Sequence, residues 1–416
     1  MMGSLGASTL AGGGLAAITL MTLLSTMGGV LMGASPLIAE AYGADRKYRL
    51  QQLTCQGLWL VFLLTIPLAI AISAADSAMI SLGQAESTVA LANSYLDIMI
   101  WGCFPALGFM LLRGIISSLD CPRPVTIVVV VGTIFNIAGN YILAFGKFGL
   151  PRLEIAGLAI ATVITFWGMF LALLFYMMRH PRLKTYRFFD GLFRLQPSIL
   201  GELIKLGLPI GIFIALESGL FTVISYLAGI LGTEVLAAHQ IVLQTMVVIF
   251  MIPLGISYAA TVRVGQWLGK QDFTGIKQAG YVSIAVGLLF NSAIAIALLL
   301  FPRSVIGLYL DLQDPANQVV IAIAIPILAI ASVAQIVDGM QKIVCGILQG
   351  LQDTKIPMLL SIPAFWGVGL SLSYFMGFYL NWGAVGLWIG QSIGLAIAAT
   401  IFTLRLIIAI EKHKTL

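Results

Sequence analysis

Long apolar segments recur along the whole of this 416-residue sequence, and they constrain its fold more than any other feature. Each is about 20 residues or longer, which is the length an α-helix needs to cross the hydrocarbon core of a bilayer. Charged residues make up only 9% of the chain, whereas a soluble domain carries about 25%. A transmembrane β-barrel would show short alternating segments instead of long apolar blocks. The sequence therefore predicts an all-α polytopic membrane protein.

Eleven spans can be placed along the chain. Their approximate limits are 10–41, 51–75, 89–118, 124–146, 154–179, 200–229, 235–268, 274–301, 316–350, 356–380 and 384–410. The longest polar stretch, 180–198, separates five spans from six. We therefore divide the chain into an N-terminal lobe (1–188), a cytoplasmic linker (189–198) and a C-terminal lobe (199–416).

The basic residues predict the orientation. When the loops are taken alternately, starting after the first span, 19 of the 22 Lys and Arg residues fall in one set. The positive-inside rule assigns that set to the cytoplasm, so the C-terminus is predicted to be cytoplasmic. The same residues are spread over short loops and form no dense stripe, which argues against nucleic acid as a partner.

Short internal matches indicate a duplication. YGAD at 42–45 corresponds to LGKQD at 268–272, and LRGIISSLDCPRP from Leu112 corresponds to LQGLQDTKIP from Leu348. With two further matches in the same order, the offsets run from 226 to 236 residues. Such a parallel repeat places a substrate site between its halves. The counterpart of span 200–229 would precede Met1, so we expect six plus six helices in the full architecture, with the first helix missing here.

No complete set of enzyme motifs is found. The sequence has no GxxxxGK[ST] phosphate loop and no HExxH, which are signatures of nucleotide hydrolysis and metalloproteases. GQSIG at 390–394 fits the serine-hydrolase pattern GxSxG, but it lies inside an apolar span and not at a strand-to-helix turn. We therefore predict a carrier that is driven by an ion gradient and is not an enzyme, with no cofactor besides its coupling ion.

Two carboxylates lie deep within predicted spans: Glu217 in GIFIALESGLF and Asp338 in ASVAQIVDGMQ. Glu217 lies 12 residues after Lys205 and Asp338 lies 12 residues before Gly350, about 18 Å of helix in each case. An ionised carboxylate in mid-bilayer costs about 2.5–3.5 kcal/mol and usually faces a bundle interior or a water-filled cavity. We interpret both as cation-coupling residues that bind H⁺ or, as a metal site, Na⁺; the alternative is that they are structural.

Lys342 lies four residues after Asp338. It could form an ion pair with that carboxylate, or extend to the cytoplasmic interface, and we favour the second. The central region would then be acidic to neutral, which suits a cation with apolar surface. Other deep polar side chains are candidates for lining the substrate cavity: Asn136, Asn140, Gln244 and Gln335.

The segment LGTEVLAAHQIVLQTMVVIFMIPLGISYAATVRVGQWLGKQD (231–272) resembles the multidrug and toxic compound extrusion (MATE) family. FNIAGNYILAFGKFG (135–149) and IVDGMQ…GILQGLQDTK (336–355) match further motifs of that family, and the likeness favours its NorM branch. The resemblance implies a V-shaped carrier of two six-helix lobes. It also implies that Glu217 and Asp338 match two acidic cation sites, while a family tyrosine is replaced here by Ala334.

The resemblance implies export of cationic lipophilic drugs in exchange for Na⁺ or H⁺. Small organic cations and the lipid bilayer are then the expected partners. We expect a monomer in the bacterial cytoplasmic (inner) membrane. The alternative in the same superfamily is a lipid-linked oligosaccharide flippase, whose pyrophosphate substrate would require Arg or Lys in the central cavity.

Overall fold

The structure is a computed structural model that describes residues 7–81, 86–147, 149, 151–188 and 190–414. Every regular element in these residues is helical, as predicted. The α-helices are α1 (Ala7–Met32), α2 (Ala34–Gly43), α3 (Lys47–Ser73), α4 (Ala75–Ser81), α5 (Glu86–Ser118), α6 (Pro122–Phe145), α7 (Glu154–Arg179), α8 (Pro181–Lys184), α9 (Pro197–Leu231), α10 (Thr233–Gly269), α11 (Phe273–Leu300), α12 (Pro302–Ile306), α13 (Gln318–Gly350), α14 (Lys355–Ser361), α15 (Leu370–Tyr374) and α16 (Gly383–Lys414). A 3₁₀ turn (Pro315–Asn317) and two π-helical segments (Ile362–Gly369 and Phe375–Tyr379) complete the set.

Eleven helical segments of the described chain are long and apolar enough to cross a membrane, which confirms the predicted number. They are Gly12–Gly43, Lys47–Ser73, Thr88–Ser118, Pro122–Phe145, Glu154–Arg179, Pro197–Leu231, Thr233–Gly269, Phe273–Leu300, Pro315–Gly350, Lys355–Tyr379 and Gly383–Lys412. The first combines α1 and α2, which are interrupted at Gly33. The tenth combines α14, α15 and the π-helical segments.

The chain divides into two compact units, an N-terminal unit (Met1–Gly211) and a C-terminal unit (Ile212–Leu416). The predicted boundary lay earlier, at the polar stretch 189–198. The boundary falls later because the first turns of α9 pack on the N-terminal unit. Glu202 forms an ion pair with Arg49, and a β-carbon at Gly207 would clash with the backbone of Val30.

The same packing pattern occurs inside each unit. In the N-terminal unit α5 packs against α1, α3 and α7, and in the C-terminal unit α13 packs against α10, α11 and α16. These helices occur in the same order along the two halves of the chain, and α5 and α13 occupy equivalent places. The pattern agrees with the parallel repeat predicted from the short sequence matches.

The polar stretch before α9 is held on α3 by hydrogen bonds from side chains to its backbone. Gln56 Nε2 donates to the carbonyl of Arg194 at 2.9 Å, and Gln56 Oε1 accepts from the amide of Gln196 at 3.1 Å. Trp59 Nε1 donates to the carbonyl of Leu192 at 2.7 Å. This segment therefore has a fixed place beside α3.

Small residues bring α10 and α13 into backbone contact. Ser257 Oγ donates to the carbonyl of Lys342 at 2.8 Å, and Thr261 Oγ1 donates to the carbonyl of Gly346 at 2.8 Å. A β-carbon at Gly350 would lie 2.8 Å from the carbonyl oxygen of Thr261. Small and hydroxyl side chains allow such close approach between membrane helices. This contact fixes the position of α13, which carries Asp338.

We expect Gly346→Leu to destabilise the protein by about 1–3 kcal/mol or more, because the new side chain would force α13 away from Ser257 on α10. The measurement is the thermal midpoint of the detergent-solubilised protein. Gly255→Ala is the control on α10, since a β-carbon there meets no atom within 4 Å. Equal midpoints for the two variants would contradict this account of the helix contact.

Candidate substrate and ion site in the C-terminal unit

A cavity of about 320 Å³ lies within the C-terminal unit, between α9, α10, α13 and α16. Its polar wall is formed by Glu217, Ser218, Gln335, Asp338, Gln391 and Ser392. Its apolar wall includes Phe221, Met246, Phe250, Met251 and Trp388. Both deep carboxylates that the sequence singled out therefore contribute to the wall of one cavity. A mainly apolar pocket with a few convergent polar groups is the usual form of a small-molecule site.

Trp366 positions the part of α9 that carries Glu217. Its Nε1 donates to the carbonyl of Leu216 at 3.2 Å, and a β-carbon at Gly219 would lie 2.9 Å from its ring. Trp366 lies in the π-helical segment Ile362–Gly369. A π-helical turn changes the direction of its side chains relative to a regular α-helix and is frequent at functional sites.

Glu217 forms a buried ion pair with Lys342. The Nζ atom of Lys342 lies 2.6 Å from Oε2 of Glu217, and both residues are 9% exposed. The ammonium also lies 5.2 Å from the ring centroid of Phe213 and 5.7 Å from that of Phe250. These distances are within the range of cation–π attraction. The lysine is thus held by one carboxylate and two aromatic faces.

The predicted position of the Lys342 ammonium group was wrong. We expected its side chain to extend to the cytoplasmic interface, with an ion pair to Asp338 as the alternative. Instead it is buried, and its hydrogen-bond partner is Glu217, 125 residues away in sequence. The side chain of a lysine in a helix can point towards either end of that helix. Here α9 determines its direction, because Glu217 and Phe213 on α9 bind the ammonium group. A positive charge therefore lies at the depth of the carboxylates.

Several polar atoms of the cavity wall have no hydrogen-bond partner among the described residues. They are Glu217 Oε1, Asp338 Oδ1, Gln335 Nε2 and both amide atoms of Gln391. Buried polar groups in proteins are almost always hydrogen-bonded to protein or to ordered water. This wall therefore has unused donors and acceptors for water or for a bound solute, and Oδ1 of the Asp338 carboxylate is one of the unused acceptors.

The other cavity candidates lie elsewhere. Asn140 Nδ2 donates to Asn136 Oδ1 at 2.9 Å, and Asn136 Nδ2 donates to Thr165 Oγ1 at 3.3 Å. These two asparagines belong to a network between α6 and α7 in the N-terminal unit. Gln244 is exposed on α10. Of the four candidates, Gln335 lines the described cavity.

The sequence interpretation missed Gln391 and Trp388. Gln391 is 1% exposed and lies inside the last span, Gly383–Lys412, so a search for polar residues within the spans would have found it together with Gln335. Trp388 Nε1 donates to His239 Nδ1 at 3.2 Å, and the other ring nitrogen of His239 lies 2.8 Å from Ser225 Oγ. This network joins α9, α10 and α16 around the cavity.

Comparison with known proteins gives a consistent result. The MatE family model matches residues 1–142 and 209–375. A probable multidrug resistance protein NorM of Synechocystis sp. is 50% identical over 416 residues, which are 100% of this chain and 90% of that protein. The multidrug resistance protein NorM of Burkholderia vietnamiensis is 37% identical over 406 residues, covering 97% of this chain and 87% of its own length.

Solved structures show the same fold. A crystal structure of MATE in the bent conformation has a TM-score of 0.89 at 21% identity, covering 100% of this chain and 90% of that chain. The crystal structure of a eukaryotic MATE transporter has a TM-score of 0.86 at 21% identity, covering 100% and 92%. The helices and the cavity define a multi-pass membrane protein with the fold of a transporter. The chain belongs to the MatE family.

We expect Lys342→Met to lower stability by about 3–5 kcal/mol, because it leaves the carboxylate of Glu217 buried without its partner. The double variant Glu217→Gln with Lys342→Met removes both charges and should recover most of that loss. Thermal midpoints in detergent measure both effects. Lys277→Met, at an exposed lysine of α11, is the control. A double variant that is as unstable as Lys342→Met would show that the ion pair is not the cause.

Proposed function

We propose that this protein is a secondary active antiporter that exports lipophilic organic cations in exchange for H⁺ or Na⁺. The observation that carries the proposal is the cavity, in which the Asp338 carboxylate faces a wall of Phe221, Phe250, Met246 and Met251. A cation with apolar surface finds a counter-charge and adaptable apolar contacts there. Two relatives, 50% and 37% identical to this chain, are named as multidrug resistance proteins, which supports a multidrug substrate range.

The proposed mechanism depends on competition for the polar wall. Asp338 binds either the coupling ion or the positive group of the substrate, and Gln335 and Gln391 supply hydrogen bonds to whichever is present. Glu217 couples the same event to α9 through its ion pair. A bound ion stabilises one arrangement of the helices and a bound drug stabilises another, and this difference in affinity links the two fluxes. No covalent step is involved, so the protein acts as a carrier and not as an enzyme.

The flippase alternative needs basic groups for a pyrophosphate. Lys342 lies beside this cavity, and its charge is compensated by Glu217 at 2.6 Å. Glu217, Asp338 and Lys342 form a charged cluster. When its carboxylates are ionised, its formal charge is negative, which favours a cationic substrate.

We expect Asp338→Asn to abolish gradient-driven efflux of ethidium from cells or vesicles. The uncharged amide of Asn offers no negative charge that the coupling ion and the cationic substrate could bind in turn. Glu217→Gln should abolish it as well, since it removes the partner of Lys342. Asp311→Asn is the control: Asp311 is exposed, and Asn keeps the oxygen that accepts from the amide of Gln313. Wild-type efflux by both Asp338→Asn and Glu217→Gln would show that these carboxylates are structural. Transport of an anionic lipid without efflux of any cation would favour the flippase.

We further propose that the protein lies in the bacterial inner membrane with its C-terminus in the cytoplasm. Of the 21 basic residues other than the buried Lys342, 18 lie in or near one set of alternate loops. A cysteine at exposed Ser198 should resist a membrane-impermeant thiol reagent in intact cells. A cysteine at exposed Ser304, in the opposite set of loops, should react. Labelling is read against the parent protein, whose four cysteines are free. The reverse pattern would invert the proposed orientation.

A further inference from the structure

We infer that Lys342 is a specificity-determining residue: its ammonium is a built-in cation at Glu217 that takes the place of Na⁺ at that carboxylate. Asp338 is then the exchangeable anionic position of the cluster. The consequence for transport rests on the proposed function. The arrangement itself rests on the contacts of Lys342, Glu217 and the surrounding rings.

The geometry gives the ammonium a complete set of attractive contacts. Lys342 Nζ lies 2.6 Å from Glu217 Oε2, a hydrogen-bonding distance. The rings of Phe213 and Phe250 lie 5.2 Å and 5.7 Å from it. Phe213 is itself fixed, since it is 3% exposed and packs against Phe365. Leaving this place would remove an ion pair and two cation–π contacts together.

The same surroundings are poor for Na⁺. Na⁺ is a hard cation, and hard cations prefer several oxygen ligands. Among the described residues no group of three or more His, Cys, Asp or Glu side chains could hold a metal ion. One carboxylate oxygen of Glu217 already binds the ammonium, and Phe213 and Phe250 supply no oxygen. The sequence-based prediction of a Na⁺ site at Glu217 and Asp338 together therefore does not fit this arrangement.

The formal charges of Glu217, Asp338 and Lys342 also indicate that Asp338 is the exchangeable position. Glu217 and Asp338 carry two formal negative charges when ionised, and Lys342 compensates one of them. The cluster then accepts one further positive charge and not two. Asp338 Oδ1 has no hydrogen-bond partner among the described residues, and Asp338 lines the cavity. The added charge is therefore expected on the Asp338 side.

The test is a comparison of thermal unfolding of the detergent-solubilised protein in NaCl and in choline chloride at equal ionic strength. A ligand that binds only the folded state raises its stability. The measurement is made at alkaline pH, so that protons compete least with Na⁺. We expect the wild type to show no Na⁺-specific shift that depends on Glu217. Lys342→Gln should gain a Na⁺-specific rise of roughly 3 °C or more, because the uncovered carboxylate accepts the ion.

Three control variants separate the lysine from other causes. Lys342→Arg keeps the positive charge and should show no gain. Glu217→Gln combined with Lys342→Gln lacks the carboxylate and should show none either. Lys277→Gln changes an exposed lysine of the same unit and should behave as the wild type.

A folded Lys342→Gln variant without a Na⁺-specific gain would overturn the inference. So would a Na⁺ shift of the wild type that disappears in Glu217→Gln. If Lys342→Gln does not fold, the wild type is compared with the double variant: equal responses to Na⁺ support the inference, and a shift present only in the wild type overturns it. The thermal shift measures Na⁺ binding and not transport. If the protein exported no cation in vesicles, the proposed function would be refuted, while the comparison of Na⁺ binding between wild type and Lys342→Gln would still stand.

Discussion

The hydrocarbon core of a bilayer offers no hydrogen-bond partner to a peptide group, and the architecture of this chain follows from that constraint. Each segment that crosses must satisfy its own backbone, which an α-helix does internally. Helices in lipid gain little from the hydrophobic effect when they associate, so packing and interhelical hydrogen bonds hold them together. The α10–α13 contact shows both, because Ser257 and Thr261 donate to backbone carbonyls where Gly346 and Gly350 allow close approach.

The same constraint explains why the polar groups of the cavity are informative. A charge inside a span is costly unless another group compensates it. Glu217 and Lys342 compensate each other, at a separation of 2.6 Å. Among the described residues, Oδ1 of Asp338 has no hydrogen-bond partner, and the amides of Gln335 and Gln391 beside it have unused hydrogen-bonding atoms. The ion pair therefore divides the cluster into a fixed part and an available part.

This division connects the fold to transport. α13 contacts α10, α11 and α16, and it carries both Lys342 and Asp338. A change of the charge bound at Asp338 acts on the helix at the centre of the unit. Through Lys342 it reaches α9, which Trp366 holds at Leu216. The antiport that we propose needs a coupling of this kind, in which a local change of charge biases the packing of helices.

The sequence by itself determined the number of spans, the repeat and the two deep carboxylates, because hydropathy, motif order and the cost of a buried charge are properties of local segments. It also singled out Gln335, which lines the cavity in the structure. It did not determine the partner of Lys342, since Glu217 is 125 residues distant and only the packing of α9 against α13 brings the two together. Nor did it separate Gln335 from Asn136, Asn140 and Gln244, which are equally polar residues within spans. Whether such a side chain faces a cavity, another helix or the surface depends on how each helix is rotated against its neighbours, and that rotation was decided by the tertiary structure.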